Sequence, residues 1–348
     1  MSAQAGPAGY DTARVEAWIA KHVDALRPPL RWRRLEGGHS NLTYLLEDAD
    51  EQVAVIRRPP LGELLPKAHD MHREFSVISA LAPTAVPVPH PLGFCDDLDV
   101  TGAQFYVMEF IEGHPLYNAN DTRAYVAEPS RTALAHNFID VLAALHEVEP
   151  DAVGLGDLGK RENYVGRQVS TWYRSWIASA GPAQYDDPRA HAIHDFLLAH
   201  LPDQGPARVV HGDYSPHNCL VLDDGTIAAV LDWEICTLGD PLADLAYALN
   251  PWPESGERVR AESAMSVPGF PPRSELASRY AARTGRDLSG LDYYVAFNRW
   301  KSAAIVHGVY ARYMEGKKGT EGVQLDELRQ SIDYSLALAE SAVDRLDG

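Results

Sequence analysis

The chain has 348 residues, 45% hydrophobic and 23% charged, with a formal net charge of -18. That length accommodates one large domain or two lobes around a cleft, and the composition is that of an ordinary globular protein. The acidic balance excludes general nucleic-acid binding, which needs basic stripes, and no apolar run reaches the roughly 20 residues of a membrane span.

The opening MSAQAGPAGYDTARVE has no basic segment ahead of an apolar one. Cys95, Cys219 and Cys236 lack metal-type spacing. Together these predict a cytoplasmic, reduced setting without disulfide or structural zinc. Val15, Trp18, Ile19, Val23 and Leu26 recur at helical spacing before Pro28-Pro29, which predicts an amphipathic packing helix. Arg31–Glu47 reads as a hairpin whose turn is Gly37-Gly38-His39-Ser40-Asn41, and Val53–Arg58 as a third strand. Paired glycines let backbone amides approach a phosphate, with Ser40 or Asn41 adding donors, although the same pair suits a plain hairpin turn. Arg58 reads as a solvated charge. A helix is expected from Lys67 to Leu81, burying Phe75, Ile78 and Leu81 and carrying Glu74.

Val86-Pro87-Val88-Pro89 is extended by its prolines, and the apolar run from Phe105 breaks at Gly113. Arg131–Glu147 has one helical face of Leu134, Phe138, Val141, Leu142 and Leu145. Between Gly156 and Ser179, Lys160, Arg167 and Arg174 interleave with Tyr164, Trp172, Tyr173 and Trp176. This stretch suits either a wall for an anionic or acyl-bearing substrate, or a helix with core aromatics and snorkelling arginines.

The densest chemistry lies in Val209–Glu234, VVHGDYSPHNCLVLDDGTIAAVLDWE. Short apolar runs deliver Asp213, then Asn218 five residues on, then Asp232 fourteen further, an arrangement of hard oxygens suited to a cation. Asp240, ahead of Pro241, reads as a helix cap, and Asp244 as a first-turn acid favoured by the helix dipole. Asn250–Pro272 is irregular by composition. Helices follow from Ser274 to Gly285, over Asp292–Tyr313 and over Leu325–Leu346. The stripe Tyr293, Phe297, Trp300, Ala304, His307 reads as core.

HGDYSPHN and LDWE, with GGHSNLTYLL, IRRPP and MEFIEG, resemble the aminoglycoside phosphotransferase-like and choline kinase-like families, from Leu35 to about Tyr313. Within them the chain is similar to the branch of kinase domains fused to acyl-CoA dehydrogenases. The resemblance implies an α+β, protein kinase-like two-lobed fold. Residues 1–109 would form a small N-lobe of antiparallel sheet plus helix, and residues 110–348 a larger, mainly helical C-lobe. It implies ATP (or GTP) and Mg2+ as cofactors, and transfer of the γ-phosphoryl group to a hydroxyl of a small molecule, aminoglycoside-like or hydroxyacyl-type.

By the same resemblance Asp213 is the base, and Asn218 and Asp232 are the metal ligands. Gly38, His39, Ser40 and Asn41 form the phosphate loop. Arg57 stands in the family's lysine slot, braced by Glu74, which lies 17 residues on. Met108, Glu109 and Ile111 would meet the nucleotide base, with His211, His217 and Glu234 in support. Two other readings use the same residues. One is a non-catalytic nucleotide-binding module, motivated by Arg57. The other is metal-dependent hydrolysis by His211, Asp213 and His217. The partner expected is a small-molecule acceptor, with neither nucleic acid nor membrane; oligomeric state is not encoded legibly.

Overall fold

The computed structural model describes residues 7–35, 41–62, 70–257, 263–317 and 323–347. Gly37, Gly38, His39 and Ser40 of the predicted phosphate turn, and Lys67 at the predicted helix start, lie outside them. Two compact units divide the chain. One takes Met1–Leu155, Pro216–Cys236 and Val259–Pro271; the other takes Gly156–Ser215, Thr237–Arg258 and Pro272–Gly348.

The first unit opens with helix α1 (Thr12–His22), capped by the Asp11 side chain accepting from the Arg14 N–H. Strands β1 (Arg31–Arg34), β2 (Leu42–Glu47) and β3 (Val53–Arg58) follow, then helix α2 (Met71–Leu81) and strand β4 (Pro91–Cys95). A one-turn helix α3 (Leu98–Thr101) leads into β5 (Phe105–Glu109). All five strands make one antiparallel sheet in the order β1-β2-β3-β5-β4. Val15 and Ile19 of α1 share a buried cluster with Leu46, Ile56, Phe105 and Val107 of the sheet. Helices α4 (Ala119–Tyr125) and α5 (Arg131–Glu147) complete this stretch, α5 with the predicted limits.

Two expectations change here. Helix α2 starts at Met71 because Asp70 is its cap, accepting from the Arg73 N–H at 3.0 Å. Its buried side is Met71, Glu74, Val77, Ile78 and Leu81, while Phe75 is half-buried against Phe94 and Tyr106. Arg58 is not solvated: it is 5% exposed, donates to the Gly9 and Thr101 carbonyls and lies 5.6 Å over the Tyr10 ring. Carbonyl acceptors and an aromatic face compensate a charge that periodicity alone places on the surface.

In the second unit come α6 (Tyr164–Ala183), α7 (Pro188–Ala199) and β6 (Arg208–Val210). The chain then re-enters the first unit as the hairpin of β7 (Cys219–Val221) and β8 (Ile227–Val230). Gly113, at φ 143°, passes so close to Leu220 that an added Cβ would lie 3.0 Å from its Cβ. That close passage lets His114 bridge to Val221.

Back in the second unit, β9 (Thr237–Gly239) pairs antiparallel with β6. Helices α8 (Pro241–Ala248), α9 (Arg273–Thr284), α10 (Leu291–Met314) and α11 (Leu325–Asp347) follow. Their core includes Tyr164, Trp176, Phe297, Trp300 and Leu336. His307, fully buried on α10, stacks on Trp176 at 4.0 Å; its Nδ1 lies 2.6 Å from Ser179 Oγ and its Nε2 2.8 Å from the Tyr185 carbonyl. In the predicted basic and aromatic stretch Trp176 is core, Arg174 is exposed and Arg167 donates to the Lys160 carbonyl. A five-stranded antiparallel sheet followed by a largely helical remainder is the architecture that the resemblance implies. Among the described residues no helix is long and apolar enough to cross a membrane.

Candidate active site

The first unit gathers Arg57, Glu74 and Asp232. Arg57 sits on β3 opposite Tyr106 of β5, with its side chain 15% exposed. One guanidinium nitrogen lies 3.2 Å from Glu74 Oε1, and another donates to Asp232 Oδ1 at 3.1 Å. Glu74 reaches Arg57 because the first turn of α2 faces the sheet, which leaves its carboxylate 2% exposed. Arg73, beside it, donates to the Cys236 carbonyl at 3.2 Å and so ties α2 to the segment that follows Asp232. Burial raises the Glu74 carboxyl pKa; Arg57 opposes that rise, and the negative charges of Asp232 and Glu234 add to it. Burial also works against the Arg57 charge, but Glu74, Tyr106 and Asp232 outweigh it and push that pKa above its ordinary value. Arg57 is therefore a permanently charged group held in place by two carboxylates.

Asn218 and Asp232 leave the β7–β8 hairpin at the same end. Cys219 pairs with Val230, and one step outward the Leu231 N–H donates to the Asn218 carbonyl at 2.8 Å. Asp232 adopts a left-handed conformation, φ 65° and ψ 60°, which a non-glycine residue enters at a cost. Trp233 anchors the turn by donating from Nε1 to the Val230 carbonyl at 3.0 Å. A carboxylate and an amide from adjacent strand ends are hard oxygen donors of the kind Mg2+ takes, alongside water and phosphate. Among the described residues no cluster of three or more His, Cys, Asp or Glu side chains is placed to hold a metal.

The same unit holds other predicted residues. His217 is half-buried and stacks on Tyr117 at 5.9 Å. Glu234 occupies a short turn after Asp232, half-buried. Met108 is buried and Asn41 is 5% exposed just ahead of β2. The Glu109 N–H donates to the His90 carbonyl at 2.9 Å, so that donor is committed within the sheet. Ile111 is half-buried beyond the strand end.

Asp213 and His211 belong to the second unit, in the loop after β6. Asp244, on the first turn of α8, accepts the His211 N–H at 2.8 Å and the Gly212 N–H at 2.9 Å with its two carboxylate oxygens. Helix-dipole stabilisation is thus the lesser part of its role: it clamps a turn in which Gly212 has φ 83°. The Asp213 N–H points at His211 Nδ1, 3.3 Å away, which makes His211 a fully buried brace for the loop. Tyr247 donates its hydroxyl to the Asp213 carboxylate. Burial, with Asp213 and Asp244 adding to it, pushes the Tyr247 phenol far above its ordinary pKa, so it stays a donor throughout the physiological range. Lys301 of α10 is 8% exposed, and its ammonium lies 5.9 Å over Trp172 and 5.7 Å over Tyr247. Burial lowers its pKa, against the pull of Asp244 and Asp213.

Tyr247 and Lys301 are absent from the sequence expectations, although both leave a trace. Asp240, Asp244 and Tyr247 form a polar 4,3-spaced stripe on an otherwise Ala- and Leu-rich helix. Lys301 falls four residues after Phe297, on the stripe that reads as core.

Residues 31–288 match the model described as the Phosphotransferase enzyme family (APH). The chain belongs to that family. It is 34% identical over 323 residues to acyl-CoA dehydrogenase family member 11 of Rattus norvegicus, covering 90% of this chain and 41% of the relative. It is likewise 34% identical to family member 10 of Mus musculus, covering 91% and 29%. The chain thus spans less than half the length of the curated relatives it matches. A Ralstonia eutropha protein classed with the aminoglycoside phosphotransferases superposes with a TM-score of 0.81 at 31% identity, covering 95% of this chain and 99% of that one. Choline kinase from Cryptosporidium parvum gives a TM-score of 0.67 at 12% identity, covering 96% and 97%. A spectinomycin phosphotransferase in complex with ADP and spectinomycin gives 0.62 at 13%, covering 98% and 99%. The last two likenesses speak to fold alone, and that fold is kinase-like.

Proposed function

We propose that this protein is an ATP- and Mg2+-dependent small-molecule kinase that phosphorylates a hydroxyl group, with Asp213 as the base. The observation that carries the reading is the Arg57 bridge, 3.2 Å to Glu74 and 3.1 Å to Asp232. It ties a permanent cation to the carboxylate at the end of the β7–β8 hairpin. Phosphoryl transfer demands charge neutralisation and positioning more than covalent chemistry, and these are the groups that supply it.

In this mechanism Arg57 would meet the nucleotide phosphates, and Asn218 and Asp232 would hold Mg2+, which when bound would neutralise phosphate charge. Asp213, oriented by Tyr247, accepts the proton of the acceptor hydroxyl as its oxygen bonds to the γ-phosphorus and the bond to ADP breaks. The Asp244 clamp keeps the backbone of that loop fixed while the proton moves. The acceptor is a small molecule, aminoglycoside-like or hydroxyacyl-type.

Incubation with γ-labelled ATP, Mg2+ and a fractionated small-molecule extract tests this. One labelled product in a defined fraction is the expected result. The second reading, a nucleotide-binding module without catalysis, is favoured by arginine in place of lysine at residue 57. It predicts nucleotide binding by calorimetry and no labelled product from any fraction.

A further inference from the structure

The second unit contains a cavity of about 830 Å3 that shares no lining residue with the Asp213 loop, Tyr247 or Lys301. The segment after α8, helix α9, the first half of α10 and the end of α11 form its walls. Three arginines line it, and two of them already have an anion. Arg273 pairs with Glu257, and Arg345 pairs with Asp292 at 2.6 Å. Arg299 is different. Its one hydrogen bond among the described residues goes to the Asn250 carbonyl at 3.1 Å, and it forms no ion pair there. A guanidinium presents five donors, so most of its capacity is unspent. Burial first, and the like charge of Arg273 second, act against the Arg299 charge, with Tyr334 and Glu257 opposing them. Leu288, Val295 and Leu338 add hydrocarbon to the lining.

We propose that this cavity binds a small amphiphilic anion, with a carboxylate or phosphate head on Arg299 and a hydrocarbon body along Leu288, Val295 and Leu338. A half-buried cation beside a like charge gains from an incoming anion, because desolvation strengthens the pairing. The volume lies within the usual range of roughly 300–1,000 Å3 for small-molecule sites. The net charge of -18 repels anions at long range, so recognition here depends on contact rather than steering. Arg299 and Lys301 are two residues apart on α10, about 200° around the helix, so one helix turns separate cations to the cavity and to the Asp213 side. The proposal is independent of the phosphotransfer reading.

Calorimetry on the full chain with octanoate, octyl phosphate, inorganic phosphate and 1-octanol tests it. The expected result is saturable one-to-one binding of at least one octyl anion. Binding of both assigns the shared anionic chemistry, and binding of one assigns the head group. Arg299→Gln is expected to weaken that binding about tenfold or more, the loss of a charge-assisted contact. Ser278→Trp, at an exposed position on the cavity rim, is expected to weaken it without touching Arg299, and carries the test if the arginine variant fails to fold. The proposal is overturned if neither octyl anion saturates, or if inorganic phosphate or octanol binds as tightly as the octyl anion. Wild-type affinity in folded Arg299→Gln and in Ser278→Trp would overturn it as well.

Discussion

The Arg57 cluster of the first unit and the Asp213 loop of the second answer their charges in opposite ways. In the first, Arg57 is locked to Glu74 and Asp232 by direct ion pairs, and the paired carboxylate is almost wholly buried. In the second, Asp244 is answered by backbone N–H groups, Asp213 by a phenol and Lys301 by aromatic faces. On the proposed function the difference fits two demands of phosphoryl transfer. A phosphate-binding cation is best fixed in advance, whereas a base locked to a cation would lose its pull on a proton.

Breaking each arrangement sharpens the contrast. Arg57→Ala strands the buried Glu74 carboxylate and is expected to destabilise the fold by about 3–5 kcal/mol, read from denaturant midpoints. Asp244→Ala removes the acceptor of two backbone N–H groups and is expected to cost about 2–3 kcal/mol, less because part of that loop can rehydrate. Tyr247→Phe removes one hydrogen bond to Asp213 and is expected to cost about 1 kcal/mol, with a larger effect on turnover than on stability. A stability change in Arg57→Ala no greater than in Tyr247→Phe would erase the contrast.

The smallest effect concerns His307, which both units' chemistry leaves aside. Burial lowers its pKa below the ordinary 6.5, with the Tyr185 carbonyl and Asp186 opposing. Between that lowered value and 6.5 the unfolded chain binds a proton that the folded chain refuses. Its contribution is therefore complete above pH 6.5 and is lost as pH falls through the folded value. A stability profile from pH 7.5 to 5 should fall less steeply in His307→Gln than in the parent; parallel slopes would contradict the assignment.

Much of this molecule is legible in its sequence. Long periodic segments such as Arg131–Glu147 and the helices of the C-terminal third announce themselves through apolar spacing. Arg57 and Glu74 are legible as a pair only through resemblance; nothing in IRRPP distinguishes the half-buried, ion-paired Arg57 from Arg58, which is buried against carbonyls and a tyrosine ring. The bracing of Asp213 is harder still. Asp244 looks like a helix-dipole acid until the loop 32 residues earlier folds onto it. Tyr247 and Lys301 gain meaning only once the helices place them beside Asp213. Helix α7 and strand β9 escape for another reason: one begins with a cap signal but a broken apolar stripe, and the other is three residues long.

The most direct test compares wild type with Asp213→Asn in Mg-ATP-dependent transfer to the acceptor, alongside nucleotide affinity by calorimetry. The account predicts turnover reduced by about 100- to 10,000-fold, the usual contribution of a positioned acid–base group, with nucleotide affinity unchanged. Equal turnover in the two proteins would contradict it, because Asp213 would then be another braced carboxylate and not the base.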